Sequence, residues 1–126
     1  MQNKIPDSWY ESFFSGINCE MWEKAATKEW TDAEVAFIED VLNVKTGSKL
    51  LDIPCGTGRH SIELAKHAFN VTAVDISDEF IHGLKKKAED QQLSIKIIQA
   101  NILSLQLDAM FDGAFTLGNS FGYFTY

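Results

Sequence analysis

From Lys49 onward, short apolar runs alternate with amphipathic helical stretches, and no other feature restricts the fold as strongly. KLLDI (49–53) reads as a short buried strand, followed by a tight loop from Pro54 to Gly58. Residues 59–68 have helical spacing, with Ile62, Ala65 and Phe69 expected inward. NVTAVD (70–75) reads as a second strand. Ser77 is placed to cap a helix whose first turn carries Asp78 and Glu79, where the helix dipole favours anions. Ile81, Leu84 and Ala88 give that helix an apolar stripe, SIKIIQ (94–99) is a third strand, and residues 111–117 are a fourth. Strands separated by helices are returned to the same end of the sheet each time, so they pair in parallel.

The right-handed crossover rule turns this order into a Rossmann-like α/β half-sheet of four strands, with helices expected on both faces. The segment ahead of it is different. Residues 1–47 carry four Lys/Arg and nine Asp/Glu, against seven and nine in residues 48–126, and hold Trp9, Tyr10, Phe13, Phe14, Trp22, Trp30 and Phe37. The chain is therefore read as one structural domain in two parts, an N-terminal helical lid or extension (1–47) and the Rossmann-like half-domain (48–126). Asp7 to Phe14 reads as a short helix with an aromatic face. Thr31-Asp32-Ala33-Glu34 has the form of a capping box, Val35, Ile38, Val41 and Leu42 follow at helical spacing, and Gly47 is expected to end that helix.

The formal charge of −7 weighs against a nucleic-acid platform, which needs a basic face. No apolar run approaches the roughly 20 residues that span a bilayer, and no signal-peptide pattern is visible. Cys19 and Cys55 are too few for a disulfide framework or a four-cysteine zinc site, so a reducing, cytoplasmic setting is expected.

The informative stretch is LLDIPCGTGRH (50–60), between the first strand and its helix. Ligands of open parallel sheets bind at the carboxyl ends of the strands. Gly56 and Gly58 allow close backbone approach there. A glycine-rich turn alone often does no more than pack a helix on a strand. Here Asp52 stands just before the loop, and Asp75 ends the second strand 17 residues after Gly58. An acid at that second position can accept from both hydroxyls of a ribose. The dinucleotide fingerprint Gly-x-Gly-x-x-Gly/Ala is altered, with Ser61 at the third small position. Asp52 would repel a pyrophosphate but suits an ammonium. S-adenosylmethionine carries an ammonium and a ribose, and no phosphate.

LLDIPCGTGRHSIELA, followed by VTAVDIS, resembles the first two motifs of class I S-adenosylmethionine-dependent methyltransferases. FDGAFTLGNSFGYF and WYESFF are similar to segments of the small-molecule branch of that family. The resemblance implies that Asp52, Cys55, Gly56 and Gly58 line the methionine part of the cofactor. It implies that Asp75 holds the ribose and Ile76 packs on adenine. Asn101 and Ile102 match the motif that meets the adenine edge, with Asn101 where the family usually has Asp. Leu117 and Gly118 match the end of the fourth strand, beneath the sulfonium, while Tyr10 and Trp30 match aromatics of a lid. Asn119, Phe121 and Tyr123 are placed on the substrate side. The implied donor is S-adenosylmethionine, the implied product S-adenosylhomocysteine, and the implied acceptor a small molecule. No catalytic residue is assigned.

Plainer readings win elsewhere. Cys55 fits packing better than nucleophilic attack. His60 fits a structural hydrogen bond better than a general base. His67 and His82 read as surface residues, and no metal-ligand spacing is present. Lys85-Lys86-Lys87 reads as a solvated helix face. Two other functions compete with methyl transfer: a cofactor-binding regulator that transfers nothing, and an NAD-dependent oxidoreductase. The family sheet has seven strands, so the chain is expected to be the N-terminal part of a longer enzyme. Its fourth strand would be an open edge able to pair with a second copy.

Overall fold

The computed structural model describes residues 27–107 and 110–117. The aromatic helix expected over Asp7–Phe14 lies outside the described residues. The elements, in order, are α1 (Lys28–Leu42), β1 (Lys49–Asp52), α2 (Arg59–Lys66), β2 (Asn70–Asp75), α3 (Asp78–Asp90), β3 (Lys96–Gln99) and β4 (Gly113–Phe115). The strands form one parallel sheet in the order β3-β2-β1-β4. β2 has the bounds read from the sequence. The other strands are shorter at their ends, although Ile53 N–H still donates to Phe115 C=O past the end of β1.

α1 begins earlier than its sequence suggests. Thr27, not Thr31, is the N-cap, its hydroxyl accepting from Trp30 N–H at 3.1 Å. Thr31 is one turn inside the helix, and its hydroxyl donates back to Thr27 C=O. Glu34 does not reach back to close a capping box but turns outward to Arg59. The helix also ends earlier, at Asn43, which takes the left-handed conformation with φ 48°. Asn tolerates that region through its short polar side chain. Gly47, with φ +90°, instead shapes the entry to β1.

Three apolar clusters hold the sheet. Val35 and Ile38 of α1, Leu64 of α2, Leu50 of β1 and Val71 of β2 form the first, closed by Phe69. Leu64 is fully buried, whereas Ala65, expected inward, is only partly so. Both α1 and α2 reach the sheet in this cluster, and Leu64 is the α2 side chain that joins it. The second cluster joins Ile62 to Ala73 and to the α3 stripe of Ile81, Leu84 and Ala88. Ser77 caps α3 as its sequence implies, accepting from Phe80 N–H.

The third cluster lies on the other face, where Leu51, Ile53 and Val74 are covered by Ile98, Ala100, Ile102, Leu105, Leu107 and Phe111. Among the described residues all three helices pack on the first face. The β1-to-β2 and β2-to-β3 crossovers run in one direction along the sheet, so right-handedness puts both on one side. The return to β4 reverses direction and, among the described residues, covers the second face with irregular chain, so the helices expected on both faces are described on one.

The amino ends of the strands are clamped. Asn70 Nδ2 donates to Gly47 C=O at 2.8 Å, and Asn70 N–H donates to Ser48 C=O. On the opposite side of β1, Lys49 N–H donates to Asp112 Oδ2 and Asp112 N–H donates to Lys49 C=O, both at 2.8 Å. These bonds set the register Lys49↔Asn70 and Leu50↔Gly113 from which both pairings run.

Candidate functional site

β1 and β2 are neighbours, and each ends in an aspartate at the carboxyl edge, Asp52 and Asp75. The loop leaving β1 crosses to the end of β2, where Cys55 N–H donates to Val74 C=O and Gly56 N–H donates to Asp75 Oδ2, both at 2.8 Å. Gly58 N–H then donates to Cys55 C=O, and Ile62 N–H to Gly58 C=O, which starts α2. Both glycines have positive φ, +57° at Gly56 and +80° at Gly58, a region costly for residues with a Cβ. Their surroundings differ. A Cβ on Gly58 would meet the Leu84 side chain, with Cδ2 at 2.7 Å and Cγ at 2.9 Å. Among the described residues a Cβ on Gly56 would meet nothing within 4 Å. Gly58 is thus needed for α3 to approach, and Gly56 leaves open space beside the two carboxylates.

Asp52 is 1% exposed and accepts from Ser61 Oγ at 2.7 Å. Burial pushes its carboxyl up to about 7, with Ser61 opposing and the neighbouring charge of Asp75 adding to the rise. Asp75 is also buried, accepting from Gly56 N–H at Oδ2 and from Ser77 N–H at Oδ1. Burial raises its carboxyl above the usual range, against the pull of those amides. Burial likewise raises the Cys55 thiol well above its ordinary value, which leaves it protonated and inert. The sequence marks Ser61 only as a departure from a glycine fingerprint; its hydroxyl is the described partner of Asp52.

A second polar group joins α1 to the first turn of α2. The Arg59 guanidinium donates to Glu34 Oε1 at 2.6 Å and to Thr31 Oγ1 at 3.1 Å. It also lies 5.9 Å from the ring centre of Trp30, a cation–π contact. Burial works to raise the Glu34 carboxyl, but Arg59 and His60 hold it below its ordinary value. Among the described residues His60 Nε2 makes no hydrogen bond; the nearest acid is Glu34, with Oε1 at 3.4 Å. The His60 ring meets Phe115 edge-on, and burial lowers its basicity. His67, read as a plain surface residue, bonds Glu39 of α1 through Nδ1 at 2.8 Å.

The remaining predicted residues fall in several places. Ile76 is half-buried beside Asp75, and its carbonyl accepts from Gln99 Nε2. Asn101 follows β3 and closes its own turn, Oδ1 accepting from Leu103 N–H at 2.9 Å. Ile102 packs on the second face of the sheet, Leu117 packs against the α1 side of the core, and Trp30 is 55% exposed at the start of α1. The structure therefore gathers Asp52, Cys55, Gly56, Gly58, Asp75 and Ile76 around one loop. Tyr10, Gly118, Asn119, Phe121 and Tyr123 lie outside the described residues. Among the described residues no three His, Cys, Asp or Glu side chains group as a metal site.

A parallel sheet of order 3-2-1-4, with a glycine loop after β1 bonded to an acid at the end of β2, defines a Rossmann-like half-sheet. Residues 50–126 match the family model described as a methyltransferase domain. The chain belongs to this family, the class I S-adenosylmethionine-dependent methyltransferases. A Geobacillus protein bearing a methyltransferase name is 33% identical over 117 residues, covering 90% of this chain and 45% of that one. A Coxiella burnetii ubiquinone biosynthesis O-methyltransferase is 35% identical over 100 residues, covering 76% of this chain and 42% of that one. In fold, a Methanococcus maripaludis protein described as an S-adenosylmethionine-dependent methyltransferase superposes with a TM-score of 0.73. It is 22% identical, and the match covers 97% of this chain and 55% of that one. The chain thus spans less than half the length of the curated relatives it matches.

Proposed function

We propose that the chain binds S-adenosylmethionine at the Asp52–Gly56–Asp75 edge of the sheet and serves methyl transfer to a small-molecule acceptor. The observation that carries this reading is the open space at Gly56, whose N–H is bonded to the buried strand-end carboxyl of Asp75. The donor set suits the group. Asp75 is presented as a hydrogen-bond acceptor for ribose hydroxyls, and Asp52 is a buried carboxyl suited to an ammonium. Neither suits a pyrophosphate. The family and the O-methyltransferase name of the Coxiella relative support a small acceptor.

When bound, S-adenosylmethionine supplies an electrophilic methyl on a sulfonium. The chain's own part is to bind and orient. Gly56 admits the ligand backbone, Asp75 fixes the ribose end, and Asp52 fixes the amino end. Much of the rate of such a displacement comes from holding the two reactants in line. No general base is needed from the described residues for that contribution.

Calorimetric titration with S-adenosylhomocysteine, beside a parallel titration with NAD, tests the reading. Saturable binding of S-adenosylhomocysteine but not NAD, abolished in Asp75→Ala, is the expected result. Binding of NAD with no response to S-adenosylhomocysteine would overturn it.

A further inference from the structure

We propose that ligand binding at this loop is coupled to the loss of a proton from Asp52. The free chain holds Asp52 as a neutral acid into the neutral range, and an ammonium-bearing ligand converts it to the carboxylate. The inference rests on the S-adenosylmethionine reading and adds a pH control to it.

The geometry points there because, among the described residues, none offers Asp52 an uncommitted cation. From α2, Ser61 gives Asp52 a neutral hydroxyl at 2.7 Å. From β2, the nearby charged group is Asp75, another acid. From the loop, Cys55 is a protonated thiol. Arg59, the cation that acts on Asp52, has its guanidinium committed to Glu34 and Thr31 of α1. His60, also on α2, is buried and disfavoured as a cation. β4 brings Phe115, opposite Asp52, and Thr116 follows it; neither carries a charge. A carboxyl that is 1% exposed, with a hydroxyl for a partner and a second acid beside it, sheds its proton reluctantly. Burial accordingly lifts it to about 7. The ligand's ammonium supplies the missing positive charge. The proton leaves to solvent, and the ion pair replaces a neutral acid.

The linkage has a definite sign. Below the free-state value the ligand must expel a proton, so its affinity falls as pH falls. With the free value at about 7 and the ion pair keeping Asp52 a carboxylate in the complex, affinity for S-adenosylhomocysteine is about tenfold weaker at pH 6 than at pH 8. At pH 7 binding releases about half a proton per site.

Two measurements on the 126-residue chain test this. The first follows the aspartate carboxyl carbons by NMR during a pH titration of the free chain, with Asp52 assigned by its loss in Asp52→Asn. A midpoint near neutrality is expected, moving higher in Ser61→Ala, where the bond favouring the carboxylate is gone. An Asp52 midpoint near 4 would overturn the proposal without any ligand being involved. The second is calorimetry with S-adenosylhomocysteine at pH 7 in buffers of different ionisation enthalpy. Heats that vary with the buffer, matching proton release, are expected. Binding with buffer-independent heats and equal affinity at pH 6 and pH 8 would overturn the coupling and leave the cofactor reading intact. No binding at either pH would overturn the cofactor reading and the coupling with it.

Discussion

The two loop glycines allow conformational strain to be separated from steric exclusion. Consider Gly58→Ala. At φ +80° an alanine pays about 1–2 kcal/mol for the left-handed region. Its Cβ also enters the Leu84 side chain, with Cδ2 at 2.7 Å. Leu84 is fully buried within the cluster of Ile62, Ala73 and Ile81, so it has little room to withdraw. Forcing a methyl into a packed site costs about 1–3 kcal/mol. Loss of glycine freedom in the unfolded chain returns about 0.4–1 kcal/mol. The expected net loss is about 2–4 kcal/mol. Gly56→Ala carries the same kind of backbone strain at φ +57° but meets none of the described residues within 4 Å, so its net loss is about 1 kcal/mol. Urea unfolding of both variants gives the comparison. A double variant adding Leu84→Ala should recover the steric part, with a coupling of about 1–3 kcal/mol. Equal losses for Gly58→Ala and Gly56→Ala, with no coupling to Leu84, would refute the steric argument. Gly56→Ala places its methyl in the space assigned to the ligand. It should therefore weaken S-adenosylhomocysteine binding far more than it weakens the fold.

Asp52 also gives stability a pH dependence. Its folded value of about 7 lies above its ordinary 3.8, so the stability it contributes is complete below about pH 4 and is lost as pH climbs to about 7. The full swing is about 4 kcal/mol, so the advantage of Asp52→Asn over the parent should grow by about 2–3 kcal/mol between pH 5 and pH 8 in urea unfolding. A constant difference would sink the argument. Ser77→Ala removes the hydroxyl that caps α3 and should cost about 1 kcal/mol in the same assay, while Ser77→Asp should recover most of it.

What the sequence disclosed follows from how local each signal is. β2 and α3 were legible because strand composition, a serine cap and a three-residue apolar stripe lie within about twenty consecutive positions. The loop was legible because Asp52, Gly56, Gly58 and Asp75 occupy a short, ordered stretch. The start of α1 was not. Thr27 and Thr31 are the same residue type one turn apart, and what separates them is Arg59, 28 positions beyond Thr31. Glu34 is drawn to the same guanidinium and so cannot complete a capping box. The end of α1 turned on Asn43 against Gly47, both able to take positive φ. Gly47 is tied to Ala68 and Asn70 instead, partners the local pattern does not show. The role of Ser61 emerges only when α2 is laid on β1.

The clamp at the amino ends of the strands acts as a datum edge for the whole site. Asn70 and Asp75 bracket β2, about 16 Å apart at strand spacing. Asp75 stands beside Gly56 because Asn70 is pinned to Gly47 and Ser48 at the far edge. Asp112 pins β4 to Lys49 in the same way on the other side. A slip of one residue would carry Asp75 about 3.3 Å along the sheet and turn its carboxyl to the opposite face. The placement of Asp75 beside Gly56 is therefore machined at the far edge of the sheet, by an asparagine and an aspartate two strands apart.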